Sequence, residues 1–120
     1  MSEKIKAVLI DPYKEEITDV EYSGDYKQIY KLIQADCFTA VSLGDNDDVF
    51  VDDEGLMKVG VFTKFFLIGG YPQPLAGYGL ILGLNPDDGE SVEAHHDAAY
   101  YAPKIKFLNV DAARVKSLLM

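Results

Sequence analysis

The sequence has a single cysteine, few basic residues and no apolar run of membrane-spanning length. Because Cys37 has no second cysteine to pair with, an intrachain disulfide is excluded and a reducing compartment is the natural setting. The first residues lack the charged-then-apolar pattern of a secretion signal, and no stretch offers the roughly 20 apolar residues of a transmembrane helix. We therefore expect a cytoplasmic protein that does not enter a membrane.

Basic residues are too few and too scattered to favour nucleic-acid binding. Acidic residues outnumber them by 20 to 11, which gives a formal net charge of −9. The acids cluster in two segments, 45–54 and 87–97, that contain no Lys or Arg. A phosphate backbone would be repelled by this charge, so we expect no nucleic-acid partner. An acidic domain can instead mimic a nucleic acid in another protein's DNA channel, although mimics usually carry denser acid on long faces.

The length and composition indicate one folded domain that spans residues 1–120. Apolar residues make up 48% of the chain and charged residues 26%, which is typical of a globular protein. Runs of strands broken by two helices, without a βαβ repeat, predict an α+β fold with a mainly antiparallel sheet. The predicted strands are Lys4–Ile10, Glu16–Tyr22, Phe38–Leu43, Asp48–Asp52, Gly79–Leu84 and Lys104–Asn109.

Two helices complete this prediction. Apolar residues at i, i+3, i+4 and i+7 predict a helix over Asp25–Gln34, capped by Ser23 or Asp25, that packs on one face of the sheet. A short C-terminal helix is predicted to begin after Asp111. The segment Leu56–Ile68 favours extended structure, and Glu93–Tyr101 fits either a helical turn or a loop.

The stretch Gly69–Gly83 combines five glycines, two prolines and two tyrosines between apolar runs. Its prolines predict a stiff, extended loop, because each ring restricts its own φ angle and the backbone of the preceding residue. One interpretation is a rigid connector whose tyrosines cover the edge of the core. The other is a binding surface, because aromatic side chains on a stiff loop lose little entropy when they bind a partner.

No motif in the chain predicts catalysis, a metal or a cofactor. The acidic segment from Asp45 to Gly55 lacks EF-hand spacing, since apolar residues occupy its central positions, and a solvated polar turn at Gly44–Asp47 is the commoner arrangement. Adjacent His95 and His96 point in different directions and rarely chelate one ion, which favours a surface pair. The sequence reveals no acid that would orient either histidine as a general base. Cys37 is expected to be a buried, inert thiol.

The chain resembles a group of small bacterial and phage-encoded proteins of unknown function, the DUF3846 group. Four features carry the resemblance: the β-rich start that ends in Asp11-Pro12, the helix DYKQIYKLIQ, the acidic VFVDDEGLM and the stretch GGYPQPLAGYGLILG. They cover roughly Ile5 to Gly83, and the tail Glu93–Met120 shows no match. The resemblance implies a phage or mobile-element origin, but it implies no activity, cofactor or catalytic residue.

These observations lead to the hypothesis of a non-enzymatic binding module that engages a host protein. The predicted binding residues are Tyr71, Gln73, Tyr78, Asp52, Asp53 and Glu54. The alternatives are an acidic nucleic-acid mimic, a small nucleotide-binding protein and a metal-dependent hydrolase that uses Asp52, Asp53, Glu54 and His95. Homodimerisation through the predicted edge strand Lys104–Asn109 is a further expectation.

Overall fold

The computed structural model describes residues 5–44, 46–53, 64–69 and 74–108. These ranges contain nine strands, two α-helices and one 3-10 helix. In chain order they are β1 (Ile5–Asp11), β2 (Glu16–Tyr22), α1 (Tyr26–Ile33), β3 (Phe38–Ser42), β4 (Asp47–Asp52), β5 (Phe65–Ile68), β6 (Leu75–Ala76), β7 (Gly79–Leu84), β8 (Ser91–Val92), α2 (Ala98–Tyr101), the 3-10 helix (Ala102–Lys104) and β9 (Ile105–Leu108). The predicted C-terminal helix after Asp111 lies outside these ranges.

The strands form two sheets in which every pairing is antiparallel. The main sheet has the order β2-β1-β7-β4-β3, and β8 pairs with the end of β7. A small sheet has the order β6-β5-β9. The predicted hairpin of the first two strands is confirmed, because β1 and β2 pair along their whole length. The mainly antiparallel sheets and short helices confirm the predicted α+β class.

The first helix covers one face of the main sheet, as predicted. Asp25 is its N-cap, and the carboxylate accepts a hydrogen bond from the amide of Lys27. The helix ends at Gln34, which adopts the left-handed conformation with a φ of 52°. Ile29 and Ile33 are its buried residues. The cluster that they join consists of Ala7, Tyr22, Ile29, Ile33, Phe50, Leu80 and Leu82.

The opposite face of the main sheet forms the second half of the core. Val8, Val49 and Ile81 on this face pack against Phe66 of the small sheet. Gly79 makes that close approach possible, because a Cβ at this position would lie 2.9 Å from the Phe66 ring. A larger residue at position 79 would therefore push the two sheets apart.

The structure corrects two sequence interpretations. Asp47, assigned above to a solvated polar turn, is the first residue of β4 and is completely buried. Its carboxylate accepts hydrogen bonds from residues much later in the chain. The polar residues next to it in sequence therefore gave no sign that it is buried. Cys37, expected to be buried, is half-buried. In the ranges given above, no helix has the length and apolarity needed to cross a membrane.

Candidate functional site

The main sheet brings polar and aromatic side chains together at its two ends. We call one the tyrosine end, where β1 and β4 finish and β7 begins, and the other the histidine end, where β4 begins and β7 finishes. The tyrosine end consists of Asp11, Tyr13, Gln34, Asp52, Asp53 and Tyr78. The histidine end consists of Asp47, Glu93, His95, His96, Tyr100 and Tyr101. The two groups are separated by the length of β4, roughly 17 Å at about 3.3 Å per residue.

Tyr78 occupies the centre of the tyrosine end. It directly precedes β7, and continuing the strand registers places it beside Asp11 of β1 and Asp52 of β4. Its side chain is half-buried and lies near Gln34, the residue that ends α1. The ring of Tyr13, from the β1–β2 turn, lies against it with centroids 5.1 Å apart. Tyr13 itself is 45% exposed and packs on the half-buried Tyr78, so the pair presents an aromatic surface to solvent.

The electrostatic surroundings keep the Tyr78 phenol neutral. Burial raises its pKa, and the negative charge of Asp11 and the neighbouring Tyr13 raise it further. The nearby polar side chain of Gln34 lowers the pKa and opposes these effects only in part. A neutral phenol can donate a hydrogen bond, so Tyr78 combines an apolar ring with a polar tip beside acidic groups.

The structure brings three of the six predicted binding residues to this end. Asp52 closes β4 opposite Phe38, and exposed Asp53 follows it with its amide donating to the carbonyl of Cys37 at 3.3 Å. Both therefore lie on the same end of the sheet as Tyr78. The other three, Tyr71, Gln73 and Glu54, lie outside the described residues.

At the histidine end, Asp47 accepts three hydrogen bonds although it is completely buried. Its Oδ1 accepts the backbone amide of His95 at 2.8 Å and lies 2.8 Å from Nδ1 of the same residue. Its Oδ2 accepts the hydroxyl of buried Tyr101 at 2.5 Å. The carboxylate thus connects β4 to the segment after β8 and to α2.

Gly83 allows this segment to lie flat against the sheet. It pairs with Asp47 in the register of β4 and β7. A Cβ at Gly83 would lie 2.3 Å from the carbonyl oxygen of Glu93 and 3.0 Å from Nδ1 of His95. The amide of Ala94 donates to the carbonyl of Lys6 at 3.0 Å, which secures the segment to β1 as well.

Aromatic rings continue the histidine end along α2. His96 stacks on Tyr100 with ring centroids 3.8 Å apart and an angle of 14° between the planes. The ammonium of Lys104 lies 4.8 Å from the centre of the Tyr100 ring, within the range of a cation–π contact. Asp97 caps α2 by accepting the amide of Tyr100 at 3.0 Å. The side chains of His95, His96 and Asp97 also line a cavity of about 190 Å³.

The histidine end contains the orienting acid that sequence reasoning did not find. His95 was expected to be one of a surface pair, and 44% of its side chain is indeed exposed. Its partner Asp47 precedes it by 48 positions, in a segment that looks like a solvated acidic turn. Only the glycine at position 83, flanked by apolar residues, hinted that another chain segment crosses there.

The geometry bears on the metal-dependent hydrolase considered above. Asp52 and Asp53 lie at the tyrosine end and His95 at the histidine end, so these three residues do not form one site. Among the residues that the structure describes, no group of three or more His, Cys, Asp or Glu side chains is arranged to hold a metal ion.

Comparison with known proteins gives one finding. A family model described as "Domain of unknown function (DUF3846)" matches residues 5–105. The match extends past Gly83 and includes β8, α2 and the start of β9, so it contains the histidine end as well as the tyrosine end. No curated protein and no solved structure matches the chain.

Proposed function

The chain belongs to the DUF3846 family, and we propose that it is a non-enzymatic binding module that engages a partner protein through the tyrosine end. The resemblance noted above implies a phage or mobile-element origin, in which case the partner is a host protein. The proposal also includes the predicted residues Tyr71, Gln73 and Glu54, because they are close in sequence to described residues of the tyrosine end.

The supported tyrosine pair carries this proposal. Tyr13 is 45% exposed, and its ring lies on the ring of half-buried Tyr78 with centroids 5.1 Å apart. An aromatic side chain supported in this way loses little conformational entropy on binding, which is a common property of binding hot spots. A cavity of about 180 Å³, lined by Tyr13 and Phe107 among others, adjoins the pair and offers room for a partner side chain.

Charge indicates the kind of partner. Asp11, Asp52 and Asp53 lie at the same end of the main sheet as the tyrosine pair, and the whole chain carries a formal charge of −9. Complementary charge favours a basic segment, whose Lys or Arg can contact both the carboxylates and the faces of the rings.

Selection from a displayed library of random peptides tests the proposal. We expect the selected peptides to be rich in Lys or Arg. Tyr13→Ala should weaken binding of a synthesised, selected peptide about tenfold, the loss typical of a hot-spot residue. Tyr26→Ala is the matched control, because Tyr26 is 57% exposed but lies at the opposite end of α1 from Gln34; it should change the affinity less than twofold. Failure to select basic peptides, or equal losses in the two variants, would overturn the proposal.

The same experiment separates the module from a nucleic-acid mimic. A mimic is recognised through its overall charge, so its binding falls steeply with added salt and is insensitive to Tyr13→Ala. The proposed module depends on the tyrosine ring at every salt concentration. Strong salt dependence without an effect of Tyr13→Ala would therefore favour the mimic.

Homodimerisation through β9 is a separate proposal. Among the described strands, β9 lies at an edge of the small sheet and pairs only with β5. Its outer edge can therefore pair with the same strand of a second copy. Light scattering after size-exclusion chromatography should give twice the mass of the chain, and the mass of a single chain would refute this proposal.

A further inference from the structure

We propose that the cavity beside His95 binds a cationic nitrogen group, an ammonium or a guanidinium, and that His95 Nε2 accepts one of its N–H bonds. This site lies at the histidine end and does not depend on the function proposed for the tyrosine end. Four features of the site favour such a ligand: the tautomer of the His95 ring, the fixed orientation of that ring, the space beside it and the charge of the residues that line this space.

Asp47 determines which nitrogen of His95 carries the proton. Asp47 Oδ1 accepts the backbone amide of His95, and Oδ2 accepts the hydroxyl of Tyr101, so the carboxylate acts as an acceptor on both oxygens. An ionised carboxylate has no proton to donate, so Nδ1 of His95, at 2.8 Å from Oδ1, is the donor in this contact. In a neutral ring with its proton on Nδ1, Nε2 carries a lone pair and can only accept a hydrogen bond.

The ring is held in this orientation from several sides. The backbone amide and Nδ1 of His95 bind the same buried carboxylate, and the ring lies so near Gly83 that a Cβ there would be 3.0 Å from Nδ1. Because Nδ1 faces the buried carboxylate, Nε2 lies on the opposite side of the ring, which is 44% exposed. A ligand therefore meets an acceptor that is already oriented.

The space beside the ring suits a small group. The cavity has a volume of about 190 Å³ and lies between β1, β2 and the segment after β8. A cavity needs only about 10–15 Å³ of this kind of volume to hold one water molecule, so it has room for a group of several heavy atoms. A guanidinium or a primary ammonium with a short alkyl chain fits this volume.

The charged residues that line the cavity favour a cation. They are Asp19, Glu93 and Asp97, opposed by Lys6. Asp19 Oδ1 accepts the amide of Ala98 at 2.9 Å, and Asp97 Oδ1 accepts the amide of Tyr100, which orients both carboxylates through one oxygen. The second oxygen of each can accept a hydrogen bond from a ligand. An anionic ligand would instead face three carboxylates and the lone pair of Nε2.

NMR titration with three simple cations tests the proposal. The probes are methylguanidinium, methylammonium and tetramethylammonium chloride, added at constant ionic strength and pH 8, where an ordinary imidazole is neutral. We expect the first two to shift the amide signals of residues 93–97 and the His95 ring signals. Tetramethylammonium has the same charge but no N–H, so it should bind at least fivefold more weakly. Equal binding of all three cations, or shifts confined to other residues, would overturn the proposal.

Variants separate the contribution of the His95 imidazole to binding from that of the negative charge around the cavity. Glu93→Gln removes a carboxylate without touching the contacts of Asp47, and it should weaken methylguanidinium binding severalfold. His95→Ala should abolish the preference for methylguanidinium over tetramethylammonium. Asp87→Asn, which removes one negative charge away from the cavity, should leave binding unchanged. If His95→Ala disturbs the fold, the long-range ¹H–¹⁵N spectrum of the intact protein decides: an Nε2–H tautomer of His95 would refute the proposal.

The cationic nitrogen group can belong to a free small molecule or to a basic side chain of another protein, and binding measurements distinguish the two. Agmatine represents a free amine, and a short peptide with one central arginine represents a basic side chain of another protein. Tighter binding of agmatine indicates a small-molecule site, and tighter binding of the peptide indicates a protein contact. If neither binds at the histidine end, the proposal is wrong.

Discussion

Asp47 and Asp48 are neighbours in sequence, but they face opposite sides of the main sheet. Asp47 faces the small sheet and is surrounded by hydrogen-bond donors. Asp48 faces the side that α1 covers and is half-buried. Burial raises the pKa of Asp48, and the nearby charge of Asp47 raises it further. The Asp47 carboxylate is thus well hydrogen-bonded in the folded state, whereas the charged form of Asp48 is less stable there than in water.

This difference predicts a pH dependence for Asp48→Asn. The folded state binds the Asp48 proton more tightly than the unfolded state does, so the charged carboxylate lowers stability as the pH rises above its ordinary value of 3.8. The variant should therefore have a higher free energy of unfolding than the wild type at pH 7. This advantage should shrink as the pH falls towards 3.8.

Urea denaturation at a series of pH values measures the effect. Asp87→Asn is the control, because Asp87 lies exposed in a turn and its substitution removes the same charge. A stabilisation by Asp48→Asn that stays constant from neutral to acid pH, or that the control matches, would contradict the argument.

Among the elements, the segment from β8 to α2 depends on one backbone position of β7. Gly83→Ala would place a methyl group 2.3 Å from the carbonyl oxygen of Glu93, so the backbone must move. We expect the free energy of unfolding to fall by about 1–3 kcal/mol, as for other overpacked sites. Amide signals of residues 93–97 should shift more than those of α1.

Gly69→Ala is a matched control for that experiment. A Cβ at Gly69 would meet its nearest atom, Cβ of Lys104, at 3.6 Å, which is an ordinary contact. The control should therefore change stability much less than Gly83→Ala. Equal effects of the two substitutions would show that the loss of glycine itself, rather than the contact with Glu93, is responsible.

The N-cap of α1 gives a second prediction for an element. Asp25→Ala removes the acceptor of the Lys27 amide and should lower the free energy of unfolding by about 1 kcal/mol. Ser23→Ala should cost less, since the Ser23 hydroxyl accepts only a long 3.4 Å contact from the Asp25 amide. Chemical denaturation of both variants decides which of the two residues caps the helix, and a larger loss for Ser23→Ala would contradict the assignment.

Elements defined by local patterns could be predicted from the sequence, but contacts between distant residues could not. The spacing of Ile29 and Ile33 after a capping aspartate was sufficient for α1. Asp47 offered no such pattern, because its partners follow 48 and 54 positions later. At the tyrosine end, Tyr78 was predicted from its glycine-rich setting. Tyr13 was missed, since only the register of β1 and β7 brings its turn to the same place.

For the whole molecule, the formal charge of −9 predicts that salt stabilises the fold. Like charges repel one another more strongly in the compact state than in the unfolded chain. The screening length falls from about 30 Å at 0.01 M salt to about 3 Å at 1 M. The melting temperature should therefore rise with added sodium chloride. Potassium chloride should raise the melting temperature to the same extent. A fall in the melting temperature with added salt would show that attractive ion pairs dominate.

The order of strands in the main sheet affects how the protein forms during synthesis. The central strand β7 separates β1 from β4, and Val8 pairs with Ile81. The first hairpin and the β3–β4 pair can form early, but they cannot join until β7 has left the ribosome. Such distant pairings slow folding, because a long loop must close before they form. Until then, the nascent chain presents two separate strand pairs with open edges, which can pair with other chains.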